Sequence, residues 1–175
     1  MIETSVLTIR RATVADAALL ADLGARTFSE TFSAANRPED MGAYLANSFS
    51  REQQATELAD TRVTFLIVEI NGTAVGYAML RSGETPKEVS GENPIELVRF
   101  YVSQEWHGRG IGESLMQRCL EETRRRDYQT LWLGVWERNS RARAFYRKWK
   151  FYDVGEHIFQ LGNDLQNDIL MERNL

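Results

Sequence analysis

Six consecutive residues, His107-Gly108-Arg109-Gly110-Ile111-Gly112, have the types and spacing from which chemistry is most readily argued. Three glycines remove the Cβ atoms that would block an anion, and the first N–H groups of a helix lack intrahelical partners. A loop of this kind opening a helix can therefore grip a diphosphate through its backbone, with Arg109 adding charge. A glycine-rich turn with no ligand fits the six residues equally well. The flanks decide whether the geometry exists. Ile95-Glu-Leu-Val-Arg-Phe-Tyr-Val102 is mostly apolar, β-branched or aromatic and too short for a helix, which predicts a buried strand. From Gly110 the period changes: Ile111, Leu115, Cys119 and Leu120 share a helical face, while Glu113, Gln117 and Glu121 point elsewhere.

Other elements must hold this junction in place. Leu7 to Arg11 alternates like a first strand, Thr13 and Asp16 form a cap pattern, and a helix follows to about Arg26. A polar segment from Thr27 to Arg37 carries Phe28, Glu30 and Phe32. Pro38-Glu39-Asp40 then opens a helix with Met41, Tyr44, Leu45 and Phe49 on one side, and Ser50 to Gln53 caps a short one through Leu58. Strands at Thr64 to Glu69 and Val75 to Arg81 flank Asn71-Gly72, the dipeptide suited to a tight hairpin. Ser82 to Pro94 reads as an exposed loop. Leu131 to Trp136 is a further strand, and Asn139 caps a helix with Ala142, Phe145, Tyr146 and Trp149 at helical spacing. On periodicity alone Tyr146 is a core tyrosine. Phe151 to Phe159 and Leu165 to Met171 form a final hairpin joined near Gly162-Asn163. Strands at both ends with helices between imply a mixed sheet covered on both faces, its parallel part centred on residues 95–136.

Composition narrows the function classes. The 175 residues suit one domain, and the 43% hydrophobic and 26% charged fractions are those of a soluble globular chain with no membrane-spanning run. Met1 to Ser5 lacks a secretory pattern, so a cytoplasmic location is expected. Cys119 is the single cysteine and reads as core, and neither His107 nor His157 sits in a zinc-like cluster, so no metal is expected. A net charge of −4 argues against nucleic acid as a partner. Residues 1–97 hold 14 acidic and 8 basic residues, whereas residues 98–175 hold 11 acidic and 13 basic. Solvated surfaces account for this polarity, and so does one half facing a cationic ligand and the other an anionic one.

The order strand, Gln/Arg-x-x-Gly-x-Gly/Ala loop, helix, strand, then Asn-x-x-Ala-x-x-aromatic-Tyr-x-Lys is met here by His107 to Gly112 and Asn139 to Lys148. It resembles the GNAT superfamily of acetyl-CoA-dependent N-acetyltransferases, and the resemblance covers nearly the whole chain. Thr27 to Phe32, Glu39 to Met41, Glu96 to Val102 and Leu133 to Glu137 are similar to its bacterial spermidine/spermine acetyltransferase branch. The resemblance implies one α/β domain (α+β by some schemes) over residues 1–175, with a mixed, mostly antiparallel sheet, a central parallel pair and helices on both faces.

It also implies roles. Acetyl-CoA is the cosubstrate, with no metal. The Phe100, Tyr101 and Val102 backbone would bind the pantetheine arm where the strand parts from its neighbour. The loop from His107 through Gly108, Arg109, Gly110, Ile111 and Gly112, with the Glu113 N–H, would hold the diphosphate. Asn139 would reach the pantetheine amides as well as capping its helix, and Lys148 in the Arg-rich helix would meet the phosphates at the adenosine end. Tyr146 would give a proton to the departing thiolate. Glu96 is the candidate base, with a structural pair to Arg99 or another cation as its alternative, and Glu30 would hold a cationic acceptor. Two positions depart from the family: His107 stands where Gln or Arg is usual, and Lys150 where glycine precedes Phe151. The acceptor implied is a small-molecule primary amine, spermidine, spermine or a similar cation. A protein N-terminus or lysine is the second acceptor class, and a non-catalytic acyl-CoA-binding module is a third reading. Many relatives associate as dimers, so the resemblance leaves a homodimer possible, although no exposed apolar stripe here marks an interface.

Overall fold

Seven strands form one sheet in the order β1-β2-β3-β4-β5-β7-β6. They are β1 (Leu7–Arg11), β2 (Val63–Ile70), β3 (Thr73–Arg81), β4 (Pro94–Val102), β5 (Thr130–Trp136), β6 (Tyr152–Leu161) and β7 (Asp164–Asn174). This computed structural model describes residues 5–175; Met1–Thr4, part of the segment read for a secretory pattern, lie outside the described residues. All pairings are antiparallel except that of β4 with β5. Five α-helices complete the domain: α1 (Ala17–Phe32), α2 (Pro38–Ser48), α3 (Arg51–Ala59), α4 (Ile111–Arg125) and α5 (Ser140–Lys148).

Strand alternation sorts the core into two sides. Leu66, Val68, Ala78, Leu80, Ile95, Leu97, Leu131 and Leu133 pack under Ile111, Leu115, Met116 and Cys119 of α4 and Tyr146 of α5. Phe65, Ile67, Tyr77 and Met79 point the other way, against Leu20 and Leu23 of α1. Helices therefore cover both faces, and Cys119 is fully buried in the core. Glu122 at the inner end of α4 ties that helix to β1 through Arg11, with Arg125 and Arg118 at 3.0 and 3.4 Å. Burial pushes its carboxyl up, but the bonds from Arg125 and Arg11 outweigh this and hold it below the ordinary range.

The local signals hold at the turns. Asn71 and Gly72 have φ of 50° and 80°, the positive values of the tight hairpin that their types predict. Ser50 Oγ accepts the Gln53 N–H at 3.1 Å to cap α3. The first helix is longer than expected: α1 runs on to Phe32 instead of stopping near Arg26, and only a 3-10 turn (Ser33–Ala35) and residues 36–37 separate it from Pro38, which opens α2. The hydroxyl of Thr27 donates to the Leu23 carbonyl at 2.7 Å, and Phe28 is buried, so residues that look polar in sequence satisfy themselves within the helix. Glu30 consequently sits on a helix, not in a loop.

The feature that matters for function is where β4 and β5 part. Only Pro94, Ile95 and Glu96 pair with Thr130, Leu131 and Trp132, whereas β4 stays paired with β3 as far as Val102 opposite Gly76. One edge of β4 from Leu97 to Val102 is thus left without a strand neighbour. A bulge at Val98 shifts the β3–β4 register between Arg99 and Leu97 and adds bend where the strands separate.

The end of α5 is closed by a Schellman pattern. Phe151 N–H donates to the Tyr146 carbonyl at 3.1 Å and Lys150 N–H to that of Arg147 at 2.9 Å, with Lys150 at φ 68°. A side chain in this left-handed conformation costs energy that glycine avoids. Lys150→Gly is expected to raise unfolding stability by roughly 0.5–1 kcal/mol, read as a higher urea midpoint; an unchanged or lower midpoint would contradict the strain.

Candidate active site

A cleft of about 720 Å³ runs from the glycine loop, between the parted strands, to the opposite face of the sheet. Its first end is built as an anion cradle. Gly108 and Gly110 have φ of 75° and 78°, and nothing lies within 4 Å of where a Cβ would stand on either. Gly110 is the N-cap of α4, and the first intrahelical bond is the one from Ser114 N–H to the Gly110 carbonyl at 3.1 Å. The N–H groups of Ile111, Gly112 and Glu113 precede that bond and remain at the positive end of the helix. Open space, free donors and dipole fit a diphosphate.

The loop side chains divide unevenly. His107, Gly108, Gly110, Gly112 and Glu113 line the cleft, whereas Ile111 is buried in the core, so only its backbone can serve a ligand. Arg109 lies over the Trp106 ring at 4.9 Å. His107 takes on a role within the protein: its Nε2 faces the Val102 carbonyl at 2.7 Å, and Arg141 Nη1 reaches its Nδ1 at 2.6 Å. The guanidinium can only donate, so Nδ1 accepts and the Nε2–H donates. His107 thereby joins the end of β4 to α5, where the family's usual Gln or Arg is missing. Glu30 serves the same segment from α1, its carboxylate accepting the Gln104 N–H at 2.9 Å.

From α5, Asn139 Oδ1 accepts the Ala142 N–H at 3.2 Å, so the cap role is present, and the residue also lines the cleft. Lys148 Nζ lies 3.4 Å from Glu113 beside the start of α4. Arg143 and Arg147, of the same Arg-rich helix, turn away to Asp153, each at 3.2 Å. Tyr146 is buried among Phe100, Phe145 and Phe151, yet still lines the cleft. Burial pushes its phenol well up, so it keeps its proton. Among the described residues its hydroxyl has no hydrogen-bond partner.

On the far side the cleft opens into an aromatic chamber. Phe28 and Phe32 of α1, Tyr44 of α2, Trp136 of β5 and Phe159 of β6 form a connected set of ring contacts at 4.5 to 5.8 Å. Tyr101 stands edge-on to Phe28 at 6.2 Å. Two polar side chains, His157 and Asp168, share this end with Gly134. Glu96 also borders the cleft, but its carboxylate pairs with Arg81 at 2.9 Å. Arg99, named as its possible partner, is instead held by Glu57 at 2.7 Å.

The comparisons agree with this geometry. The sequence model of the Acetyltransferase (GNAT) family matches residues 25–151, well over half of the chain. The chain belongs to this family. An uncharacterized N-acetyltransferase of Lactobacillus delbrueckii subsp. lactis is 33% identical over 85% of this chain and 86% of its own. One from Mycobacterium bovis is 34% identical over 91% of this chain and 98% of its own. In fold, the chain superposes on the PaiA N-acetyltransferase of Thermoplasma acidophilum, solved with coenzyme A, at a TM-score of 0.77 with 20% identity, covering 97% and 99% of the two chains. The GNAT chain is thus an acetyl-CoA-dependent N-acetyltransferase with the single-domain GNAT fold. Among the described residues no helix is long and apolar enough to cross a membrane, and no group of three or more His, Cys, Asp or Glu could hold a metal ion.

Of the residues singled out in the sequence, Glu30, Glu96, Phe100, Tyr101, Val102, His107, Gly108, Gly110, Gly112, Glu113, Asn139 and Tyr146 line one cleft, whereas Arg109, Ile111 and Lys148 do not. Trp106, His157, Asp168 and most of the aromatic wall carry no such signal, since the wall residues read as ordinary core spacing, and Arg141 is legible only as one of the cations of its Arg-rich helix.

Proposed function

We propose that this GNAT enzyme acetylates a compact primary amine that enters the aromatic chamber. The reading is carried by one observation: the anion cradle and the aromatic chamber are two ends of the same cleft, joined along the unpaired edge of β4. Acetyl-CoA supplies the acyl group as a thioester. The β4 backbone from Phe100 to Val102 would hold the pantetheine arm, and the Gly108–Gly112 loop with the Glu113 N–H would hold the diphosphate. Arg141 and Lys148 would add charge beside it. Tyr146, kept protonated by burial, would donate its proton to the sulfur as the carbon–sulfur bond breaks. The amine nitrogen forms its bond to the carbonyl carbon in the same reaction and must lose a proton.

The narrower spermidine/spermine reading rests on the segments Thr27 to Phe32, Glu39 to Met41, Glu96 to Val102 and Leu133 to Glu137, with the acidic bias of the first half as its charge argument, and the fold commits most of those acids elsewhere. Glu30 accepts from Gln104 at 2.9 Å, Asp40 from the Asn163 N–H at 2.8 Å, Glu57 holds Arg99 at 2.7 Å, and Asp60 holds Arg62 at 2.8 Å. A long polycation would find few free carboxylates, whereas the chamber offers ring faces to a cation with an apolar body. An acceptor panel read by CoA thiol release tests this. Compact monoamines are expected to exceed spermidine, spermine and peptide amines in kcat/KM by at least about tenfold, a modest margin for one pocket contact; the reverse order would return the acceptor to the polyamines or peptides.

A further inference from the structure

The aromatic chamber ends in a pair of groups that no feature of the GNAT motifs assigns. His157 of β6 and Asp168 of β7 are direct cross-strand partners. His157 Nε2 lies 3.6 Å from Asp168 Oδ2. β7 is inserted between β5 and β6, which sets the pair against β5 at Gly134. The missing side chain there is what makes room: a Cβ on Gly134 would stand 3.1 Å from His157 Nε2 and 3.3 Å from Asp168 Oδ2. Gly134 lies on the stretch of β5 that has parted from β4, beside the path between cradle and chamber.

The two side chains differ in exposure in a useful direction. Asp168 is 11% exposed and His157 is 40% exposed, so the carboxylate faces the interior of the cleft and the imidazole connects it to solvent. We propose that Asp168 is the general base that takes the proton of the acceptor amine and that His157 relays this proton to water. The inference rests on the amine-acetyltransferase reading above and replaces Glu96, whose carboxylate is engaged by Arg81. The protons balance. An ammonium acceptor first releases one proton through Asp168 and His157 to solvent, and the free amine then attacks. The nitrogen gives up a second proton along the same route as the carbon–nitrogen bond forms. The sulfur gains one proton from Tyr146, which is restored from solvent.

Burial pushes the Asp168 carboxyl up to about 6, against the lowering influence of His157. That value lets it accept a proton near neutrality. The titratable neighbours are His157 from β6 and Tyr44 from α2, whose phenol is held up mainly by burial and in smaller part by the Asp168 charge. Arg99 of β4 lines the same cleft but is paired with Glu57.

The experiment compares wild type, Asp168→Asn and His157→Gln by steady-state kinetics across pH, using the best amine of the acceptor panel, with melting temperatures alongside. Asp168→Asn is expected to lower kcat by on the order of 100-fold or more with KM changed by less than about threefold, and to abolish the low-pH limb of the rate profile. His157→Gln should fall between the two. The Asn variant should melt at or above the wild-type temperature at pH 8, since it removes a carboxylate that burial disfavours when charged. A rise in KM with kcat intact would make Asp168 a grip for the ammonium group and overturn the proposal. So would a retained low-pH limb, or a melting temperature well below wild type. If the wild type turns over and the variants match it, only the dyad fails; if the wild type is silent with every amine, the reading of the site falls along with it.

Discussion

Replacing Tyr146 with phenylalanine is expected to lower kcat by about 10²–10³-fold while leaving the dissociation constant of CoA within about twofold. The expectation separates the two things this residue does. Its ring fills a slot between Phe100, Phe145 and Phe151, and phenylalanine keeps that packing. Only the hydroxyl goes, and it has no hydrogen-bond partner among the described residues that would be left unsatisfied. Stability should therefore hold, and the loss should fall on the step in which sulfur leaves. Because burial raises the phenol, the wild-type group stays protonated through the working pH range and supplies the proton without a preceding equilibrium. Single-turnover thiol release by the variant, set beside calorimetric titration with CoA, gives both quantities. Unchanged turnover would remove Tyr146 as the acid, and a loss of CoA affinity equal to the loss of rate would make it a packing residue.

The second large effect is expected at the cradle. Gly110→Val should weaken CoA binding by on the order of 100-fold, from the strain of a β-branched residue in the left-handed region together with loss of backbone approach. Gly110 sits at φ 78° as the N-cap of α4, and the protein leaves the space above it empty. Valine would thus clash with nothing in the protein, and the fold should survive with a penalty of about 1–2 kcal/mol. Its side chain would stand where the diphosphate must approach the N–H groups of Ile111, Gly112 and Glu113. Titration of the variant with CoA checks this; affinity within threefold of wild type would mean that the diphosphate binds elsewhere.

What the sequence shows of this molecule depends on how local the responsible physics is. Asn71-Gly72 announces its hairpin because only a few residue types tolerate its backbone angles, and the glycine loop is visible for the same reason. The end of α1 is hidden because Thr27 and Ser29 look like breakers, and only the packing of Phe28 shows that the helix continues. Glu96 looks catalytic on a central strand, but its engagement by Arg81 depends on the register across β3 and β4, which a bulge at Val98 shifts. His157 and Asp168 are a mixed case. A two-residue turn at Gly162-Asn163 pairs Leu161 with Asp164 and, counting back, His157 with Asp168, so their contact is implicit in the hairpin. That β7 enters the sheet beside β5, and so brings the pair to Gly134, is a matter of strand order for which the chain carries no local signal.

The aromatic chamber was hidden by the same non-locality. Phe28, Tyr44, Trp136 and Phe159 come from four elements, and each occupies a position that periodicity alone would assign to core. Their convergence at the end of the cleft opposite the phosphate cradle turns core-like residues into a candidate acceptor wall. Many of the acidic residues that make the charge bias of the first half, Asp16, Glu30, Asp40, Glu57, Asp60, Glu69 and Glu96 among them, are drawn into bonds with neighbours when the chain folds.

The most direct measurement is the stoichiometry of thiol release against N-acetylated product when purified protein is mixed with acetyl-CoA and a compact primary amine. One thiol is expected per acetylated amine, with release dependent on the amine and abolished when Tyr146 is phenylalanine and Asp168 is asparagine together. Tight binding of CoA with no amine-dependent thiol release would contradict a catalytic cleft and leave a module that binds the acyl donor without turning it over.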